Sequence, residues 1–514
     1  MTRRQRSLRA FAAALVAALL VTTTAPARAS WYEAKSHHFL IYADAGADEI
    51  REYAKRLERF DQAVRIARGM GDPALTDAGR LKIYVLRDPD ELSRIVGGDG
   101  TLGVYVGRAS GSYAFVARKK GKGDWDINSD IIFYHEYAHH LMLQNWSAAL
   151  PTWFVEGFAE FLSTAKLNDD GSVTLGAPLN HRAIGVFASH RDLTLAEMVA
   201  GYDRNLTGWQ QELVYAHGWL LTHYLTFEPS RKGQLDRYIA GIQKGETALE
   251  SARAAFGDIL KLEDELGRYV KRKQLSGVVI RPETAKLGEV SVRPLSAAEA
   301  AVIPARIRSD YGVDPRYSGR VAAQARKLAA PFPADLFAQA TLAKAEYDAG
   351  NYAAAQTAAD RALAANPRYG PALIYKGRAL MALAKANPAA ADWDAIRGWF
   401  VKANQVDTEN AEPLMLFYQS FVAAGVRPTD SAVKGLNYAL ILAPQDNELR
   451  LMAIRQLLLD GKAADARRAL APMAFNPHAS AVRNNARKIG AAIDGDNAAG
   501  AVKLIDDWLK EMKK

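Results

Sequence analysis

The C-terminal part of the chain repeats a pair of short helices, and this repeat limits the folds open to it more than any other feature. The segment Leu336–Pro367 alternates small and large residues at helical spacing, with Gly350 between its halves. Related turns recur as VDTEN, LAPQDN and AFNPH, spaced by about 41, 36 and 33 residues. Each helix pair is too small to bury its own apolar face and must stack on its neighbours. The pattern therefore predicts an all-α repeat array.

The first of these units resembles the tetratricopeptide repeat (TPR). The positions that carry the resemblance are Leu342, Ala343, Gly350, Tyr352, Ala355, Ala362, Asn366 and Pro367. It implies a TPR-like domain over residues 311–514, with a groove as a candidate site for a protein partner. An Ala-rich helical bundle without superhelical curvature is the alternative.

Residues 1–29 have the three parts of a secretory signal peptide. Basic MTRRQRSLR precedes the twelve apolar residues AFAAALVAALLV, and Ala27-Arg28-Ala29 is a small-x-small cleavage site. The apolar stretch is too short to span a bilayer, which needs about 20 residues. We therefore expect cleavage near Ala29/Ser30 and a mature protein in the periplasm or outside the cell.

Composition narrows the classes of function further. The chain has no cysteine, so an exported protein of this size must be held together by its core rather than by disulfides. The formal net charge is +9, and the signal peptide contributes five arginines and no acid. The positive charge that remains without these five arginines is only a mild excess, and it does not support nucleic-acid binding. No later stretch approaches membrane-spanning length, so we expect no integral membrane segment after signal removal.

Residues 30–275 read as an α+β domain with strands first and helices later. Short buried strands are predicted at His38–Asp44, Leu81–Leu86 and Gly111–Arg118, and a long helix is predicted between the first two. Residues 276–310 contain prolines and short β-like runs without a sustained period. We expect the linker between the two domains there.

The segment FYHEYAHHLM carries the chemistry. On a helix, His135 and His139 project from one face about one turn apart, and two neutral imidazoles at that spacing can share one Zn²⁺. Glu136 lies next to the first histidine and can take a proton from a zinc-activated water without being a ligand. His140 points about 100° away around the helix and is excluded.

A tetrahedral catalytic zinc site needs a third protein ligand. Glu156, in LPTWFVEGFAEFL, is an acid within an apolar stretch, which usually requires a partner charge such as a metal. Glu160, one turn later, is the alternative ligand; we expect it instead to accept the free N–H of a histidine ligand. An amphipathic helix with both glutamates in water is the plain alternative.

Together these residues resemble the gluzincin metallopeptidases, particularly the zinc aminopeptidase branch. That branch places its third ligand in a similar Asn-Glu-Gly-Phe-Ala segment, and a tyrosine in a Tyr-x-Lys-Gly-x-x-Leu segment hydrogen-bonds the transition-state oxyanion. Tyr215, in VYAHGWLLTHYL, lies at the matching position, with His217 in place of the lysine and Gly218 aligned. A core aromatic is the alternative for Tyr215, and packing roles are expected for His217 and His223. No chemistry is assigned to His37-His38.

The resemblance covers roughly residues 130–225. It implies a zincin-like α+β fold for residues 30–275, one Zn²⁺ per chain held by His135, His139 and Glu156, and peptide hydrolysis with Glu136 and Tyr215 as catalytic residues. The branch's Gly-x-Met-Glu-Asn segment, whose glutamate captures a substrate amine, has no counterpart, because ASGSYAFVARKK lacks an acid. An endopeptidase-like cleft is therefore expected, with the strand Gly111–Arg118 as the edge on which a peptide pairs.

Two other functions fit the same residues. In the first, the chain is a non-catalytic zincin-fold scaffold that acts through its repeats, although the intact Glu136 argues against this. Alternatively, it is a zinc hydrolase of a non-peptide amide such as a cell-wall fragment.

Overall fold

The structure is a computed structural model, which describes residues 31–98, 101–119, 127–146, 150–201, 206–281, 287–474 and 480–512. The predicted signal peptide and most of the AFNPH turn lie outside the described residues. Among the described residues, no helix combines the length and the apolar character needed to cross a bilayer.

A six-stranded mixed sheet forms the centre of the N-terminal part. Its middle strands are mostly apolar and mostly buried, as expected for parallel strands that are covered on both faces. The strand order is β4-β5-β3-β2-β1-β9, with β2, β3 and β5 parallel. The strands are β1 (Trp31–Lys35), β2 (Phe39–Asp44), β3 (Leu81–Leu86), β4 (Gly103–Arg108), β5 (Gly111–Ala117) and β9 (Ser291–Pro294).

The structure confirms the three predicted strands but overturns the expectation that Gly111–Arg118 is the edge. Strand β5 lies inside the sheet, between β3 and β4. The chain turns back at Ala109-Ser110, and β4 pairs antiparallel along the whole of β5, from Gly103 opposite Val116 to Arg108 opposite Gly111. Strand β4 is therefore the edge strand.

Ten described helices of the N-terminal part pack on the sheet and on one another. One continuous core cluster joins the inner sheet face to α1, α3, α4 and α7. The helices are α1 (Ala47–Arg68), α2 (Pro89–Val96), α3 (Ser129–Asn145), α4 (Thr152–Ser163), α5 (Ala183–Val186), α6 (Leu195–Ala200), α7 (Gly208–Phe227), α8 (Gln234–Gln243), α9 (Ala248–Phe256) and α10 (Ile259–Tyr269). The predicted α+β organisation of this part is thus present.

The segment 276–310, expected as a linker, is built into the packed structure. It contributes β8 (Val278–Ile280), which pairs with β7 (Val173–Leu175) in a small sheet that also holds β6 (Lys166–Leu167). It also contributes β9, which pairs with β1, and most of helix α11 (Ala297–Tyr311). Residues of α11 pack on the outer face of the six-stranded sheet.

The remaining described chain is an array of helices in which each packs on its sequence neighbours. Most begin at an Asp, Asn or Thr cap, which supplies an acceptor to the unpaired N–H groups of the first turn. The helices are α12 (Pro315–Ala329), α13 (Leu336–Asp348), α14 (Tyr352–Ala365), α15 (Gly370–Ala386), α16 (Trp393–Val406), α17 (Ala411–Ala423), α18 (Asp430–Leu442), α19 (Asn447–Leu459), α20 (Ala463–Ala474), α21 (Ser480–Asp494) and α22 (Ala498–Glu511).

Candidate metal centre

Helix α3 sets the two histidines of the candidate site one turn apart. It begins at Asn128, whose side chain accepts a hydrogen bond from the Ile131 amide at 3.0 Å. Phe133 and Tyr137 anchor its buried side with stacked rings 5.6 Å apart. His135 and His139 therefore emerge together from the side of the helix that faces α4.

Helices α4 and α7 bring the other candidate residues to this point because they approach at two glycines. A methyl group at Gly157 would lie 2.3 Å from the carbonyl carbon of Gly218, and one at Gly218 would lie 2.6 Å from the Trp153 carbonyl oxygen. Only glycine allows two backbones to lie this close. The contact places Glu156, one residue before Gly157, and Tyr215, three residues before Gly218, on the same side as the histidines.

Three donor atoms converge at the centre of this arrangement. The Nε2 atoms of His135 and His139 lie 3.2 Å apart, and Oε2 of Glu156 lies 3.5 Å from the first and 3.8 Å from the second. Two bonds of about 2.0–2.1 Å at a tetrahedral angle separate their ends by roughly 3.3–3.4 Å. Two imidazoles and a carboxylate at these separations fit the donor set and the size of a zinc site.

The electrostatics of the site also favour a positive charge. Burial by itself lowers the pKa of His135, but its hydrogen bond to Glu156 and the charges of Glu160, Glu156 and Glu136 raise it to about 9. Glu156 is fully buried on a helix whose other residues are mostly apolar, Glu160 being the second acid. A buried carboxylate is stable only when it is hydrogen-bonded or paired with a cation, and the two histidines stand where such a cation would be shared.

Glu160 lies behind His135 rather than among the converging donors. Its Oε1 is 3.5 Å from Nδ1 of His135, on the opposite side of the ring from Nε2. His181 lies 3.2 Å from its Oε2, and Arg182 donates to its Oε1 at 2.9 Å. Burial raises the pKa of Glu160, but these hydrogen bonds and neighbouring charges lower it to about 2. An ionised Glu160 is thus placed to accept the second N–H of His135.

Tyr215 stacks on the candidate ligand His135, with ring centroids 6.1 Å apart and planes at 13°. Burial and the neighbouring Glu156 raise the pKa of the Tyr215 hydroxyl, so it remains a proton donor at neutral pH. The guanidinium of Arg182 lies 4.5 Å from the centre of the Tyr215 ring and also pairs with Glu212. Arg182 therefore connects Glu160 to Tyr215.

Glu136 is half-buried on the face of α3 that borders strand β4. The backbone of Gly103 passes beside it, since a methyl group at Gly103 would lie 3.7 Å from its Cγ. The next residue of β4 on that side, Tyr105, hydrogen-bonds Nδ1 of His140 at 3.0 Å. The candidate base thus lies between the converging donors and the edge strand.

Three of the histidines that sequence analysis sets aside are buried groups, namely His140, His217 and His223. Burial lowers the pKa of His217 and His223 to about 4, and each bonds a backbone carbonyl. His140 is neutral as well, because burial lowers its pKa to about 3. It lies outside the donor cluster, bonded to Tyr105.

His38 belongs to a second cluster of titratable groups that sequence analysis does not find. Its Nδ1 lies 2.8 Å from Oε2 of Glu58 and 3.2 Å from Oδ2 of Asp61 on α1. Asp61 also accepts hydrogen bonds from Arg65 and from the hydroxyl of Tyr137. A histidine and two carboxylates could hold a metal ion, but the two acids of this cluster already accept hydrogen bonds within the protein. The cluster instead connects α1 to the buried side of α3.

The residues that sequence analysis misses at the site are His181, Arg182 and Tyr105. The segment NHR places a histidine and an arginine at a turn, but nothing in its spacing connects it to Glu160. Tyr105 lies in a strand that the sequence pattern did not reveal. These side chains reach the centre only because α5 packs on α7 and β4 packs on α3.

Comparisons with known proteins leave the chain without a family. No protein-family model matches it, and no curated protein matches it. Among solved structures, it is similar to a thermophilic TPR protein of Thermus thermophilus, with 18% sequence identity and a TM-score of 0.32. The match covers 37% of this chain and 98% of that chain. At that TM-score the likeness does not establish a shared fold.

Proposed function

We propose that the protein is an exported zinc-dependent peptidase with a TPR-like repeat domain, and that its catalytic part is a zincin-like gluzincin domain. The convergence of His135, His139 and Glu156 at separations that suit tetrahedral zinc carries this proposal. The intact His-Glu-x-x-His segment, the tyrosine at the expected position and the signal-like N-terminus support it.

The residues around the donors are arranged for hydrolysis of an amide. A zinc ion held there by His135, His139 and Glu156 would act as a Lewis acid and would lower the pKa of a water to about 7. Glu136 accepts the proton of the attacking water and passes it to the departing amine. The hydroxyl of Tyr215 donates a hydrogen bond to the oxygen on which negative charge develops. Glu160 keeps the ring of His135 in one orientation and tautomer.

The edge strand β4 suggests how a peptide is bound. An extended peptide that adds to a sheet edge gains affinity from main-chain hydrogen bonds, and β4 passes directly beside Glu136. We therefore assign to β4 the role that sequence analysis gave to the Gly111–Arg118 strand. Because the comparable segment contains no acid to hold a free amine, we propose cleavage within chains rather than at an N-terminus.

The experiment compares the mature protein with Glu136→Gln. Metal content is measured by plasma emission spectrometry, and cleavage is measured on casein as an unfolded substrate. We expect one zinc per chain in both proteins and cleavage only in the unmodified one. Glu52→Gln, an exposed glutamate on α1, is the matched control and should cleave normally.

Other outcomes separate the remaining functions. Absence of zinc from the unmodified protein would refute the central assignment. Zinc without cleavage of casein, peptide libraries or cell-wall amides would favour the non-catalytic scaffold. Cleavage confined to cell-wall amides would identify the non-peptide hydrolase.

A further inference from the structure

The hairpin formed by β4 and β5 is held at its tip by the helical array. On one side, Arg108 donates to the backbone oxygens of Asp310 at 3.2 Å and Tyr311 at 2.6 Å, at the end of α11. On the other side, the Ala109 amide donates to Oδ2 of Asp446 at 2.6 Å. The tip of the candidate substrate edge therefore lies between the end of α11 and the turn that precedes α19.

Of these two contacts, the one made by the turn between α18 and α19 is the more closely packed. Gln445 donates to Oγ of Ser112 at 3.0 Å and accepts from Gln144 of α3 at 3.2 Å. A methyl group at Gly107 would lie 2.2 Å from Cγ of Gln445. The side chain of Gln445 therefore fits against β4 only because position 107 is glycine.

A chain of hydrogen bonds continues from this turn toward the candidate metal centre. Ser112, which receives the bond from Gln445, lies 3.1 Å from the hydroxyl of Tyr105, and Tyr105 bonds His140 at 3.0 Å. His140 directly follows the candidate ligand His139. Strand β4 is thus tied to α3 through Tyr105 at its middle. Near its end, Gln445 packs against Gly107 while it bonds Ser112 of β5 and Gln144 of α3.

These contacts are built into the interior of the protein. Ala109, Ser112, His140 and Asp446 are all buried, and Ala109 belongs to the same apolar cluster as α17, α18 and α19. Asp446 also caps α19 by accepting from the Leu449 amide at 2.8 Å. Directional bonds between buried groups permit few alternative arrangements. The array therefore fixes the hairpin in one position.

We infer that Gln445 and Asp446 are positioning residues, through which the repeat array holds strand β4 in place beside Glu136. The inference rests on the proposed function in one respect, because it takes β4 as the edge to which a substrate pairs. It gives the repeats a role within the chain in addition to any partner that they bind.

Three variants of the full-length protein test this inference. Gln445→Met keeps the volume of the side chain but removes its hydrogen bonds, and Asp446→Ser keeps the cap of α19 but is too short to reach Ala109. Gly107→Ala displaces Gln445 from the opposite side of the contact. Asp392→Ser is the matched control, since Asp392 caps α16 by accepting from the Ala395 amide at 2.9 Å.

Two measurements are made on each variant. Amide hydrogen exchange of the metal-free protein reports local opening of residues 103–110, with β2 and β3 as internal references. Kinetics on a cleaved peptide separate KM from kcat. We expect the three variants to exchange about tenfold faster in β4 alone and to show a KM raised about tenfold with kcat changed less than threefold. The control should match the unmodified protein in both measurements.

Each other result contradicts the inference. Unchanged exchange in β4 would show that the array does not hold the strand, and faster exchange with an unchanged KM would show that the hold does not affect substrate. If the unmodified protein cleaves nothing, the proposed function fails while the exchange measurement still decides whether Gln445 and Asp446 hold β4.

Discussion

The candidate centre depends on single side chains that lie behind the metal-facing atoms. Glu160 contacts His135, and His181 and Arg182 hold Glu160 in turn. Arg182 also lies over the ring of Tyr215. One guanidinium thus contacts both the carboxylate that orients a ligand and the proposed oxyanion donor. These contacts give separate predictions for metal affinity and for rate.

Removing the charge of Glu160 should weaken metal binding. Glu160→Gln keeps the shape of the side chain but cannot hold an N–H of His135 as strongly, so we expect zinc affinity to fall about 10–100-fold. Competition with a chromogenic chelator measures this change. Glu212→Gln, which also removes a carboxylate partner of Arg182 but lies farther from His135, is the control. An unchanged affinity in Glu160→Gln would mean that Glu160 does not orient the ligand.

Removing the hydroxyl of Tyr215 should affect rate and not metal. In Tyr215→Phe the ring still stacks on His135, but the oxyanion donor is lost, and we expect kcat to fall about 10²–10³-fold. Zinc content and KM should change little. Steady-state kinetics with metal analysis check both expectations. A variant with normal kcat would assign Tyr215 to packing, the alternative that its half-buried position on α7 leaves open.

The proximity of two single residues can be predicted where sequence spacing determines geometry. His135 and His139 are four residues apart on one helix, so their proximity follows from the helix period alone. Glu156 could be proposed from its place as an acid within an apolar stretch, and Tyr215 only through a family resemblance, because their meeting depends on the contact between Gly157 and Gly218. No local signal encodes the positions of Arg182 and Tyr105, since long-range packing alone determines them.

At the scale of elements, the buried cluster around His38 joins β2, α1 and α3. Its histidine contacts Glu58 and Asp61 on α1, and Tyr137 on α3 donates to the same Asp61. Burial lowers the pKa of His38, but the hydrogen bond to Glu58 and the two acidic charges raise it above its usual value on balance. The cluster therefore stabilises the folded state more when His38 is protonated.

This shift predicts how stability changes with pH. The folded pKa of His38 is above its unfolded value of about 6.5, so its contribution is complete below about pH 6.5. It is lost as the pH rises through the folded pKa. Chemical denaturation between about pH 6 and 9 should show this decline, and His38→Gln should reduce it while lowering stability by about 1–3 kcal/mol. The decline that remains belongs to His135, whose pKa is also raised. An identical pH slope in the variant would contradict the assignment. His37→Gln is the control, because His37 is more exposed.

The elements themselves were predictable to different degrees. Strands β2, β3 and β5 are dense in β-branched and aromatic residues and could be recognised at once. Strand β4 was missed because Gly103 and Gly107 interrupt its run of apolar residues, and its omission placed the sheet edge on the wrong strand. Glycine is unfavourable in an isolated strand, but here it admits Gln445 and the α3 side chains. The residues that weaken the strand signal are thus the ones that the surrounding structure requires.

At the scale of the whole molecule, the α+β part and the segment 276–310 share their interior. Leu295, Ile303 and Ile307 pack with Leu40, Tyr42, Tyr84 and Phe115 on the outer face of the sheet. The hydroxyl of Tyr84 also donates to Asp310 at 2.7 Å. Sequence composition suggested a linker here because short strands and prolines interrupt any period. The apolar residues of this segment instead cover the outer face of the sheet.

This shared core predicts that the N-terminal part does not fold alone. A protein of residues 31–275 would lose β8, β9 and α11 and expose four large side chains of the outer sheet face, each worth about 1.5–3 kcal/mol when buried. We expect it to aggregate and to lack a near-ultraviolet circular dichroism signal. A protein of residues 31–330, which retains α11 and α12, should be more soluble. A soluble, cooperatively unfolding 31–275 protein would show that the α+β part is independent, and that the helical array is added to a finished domain.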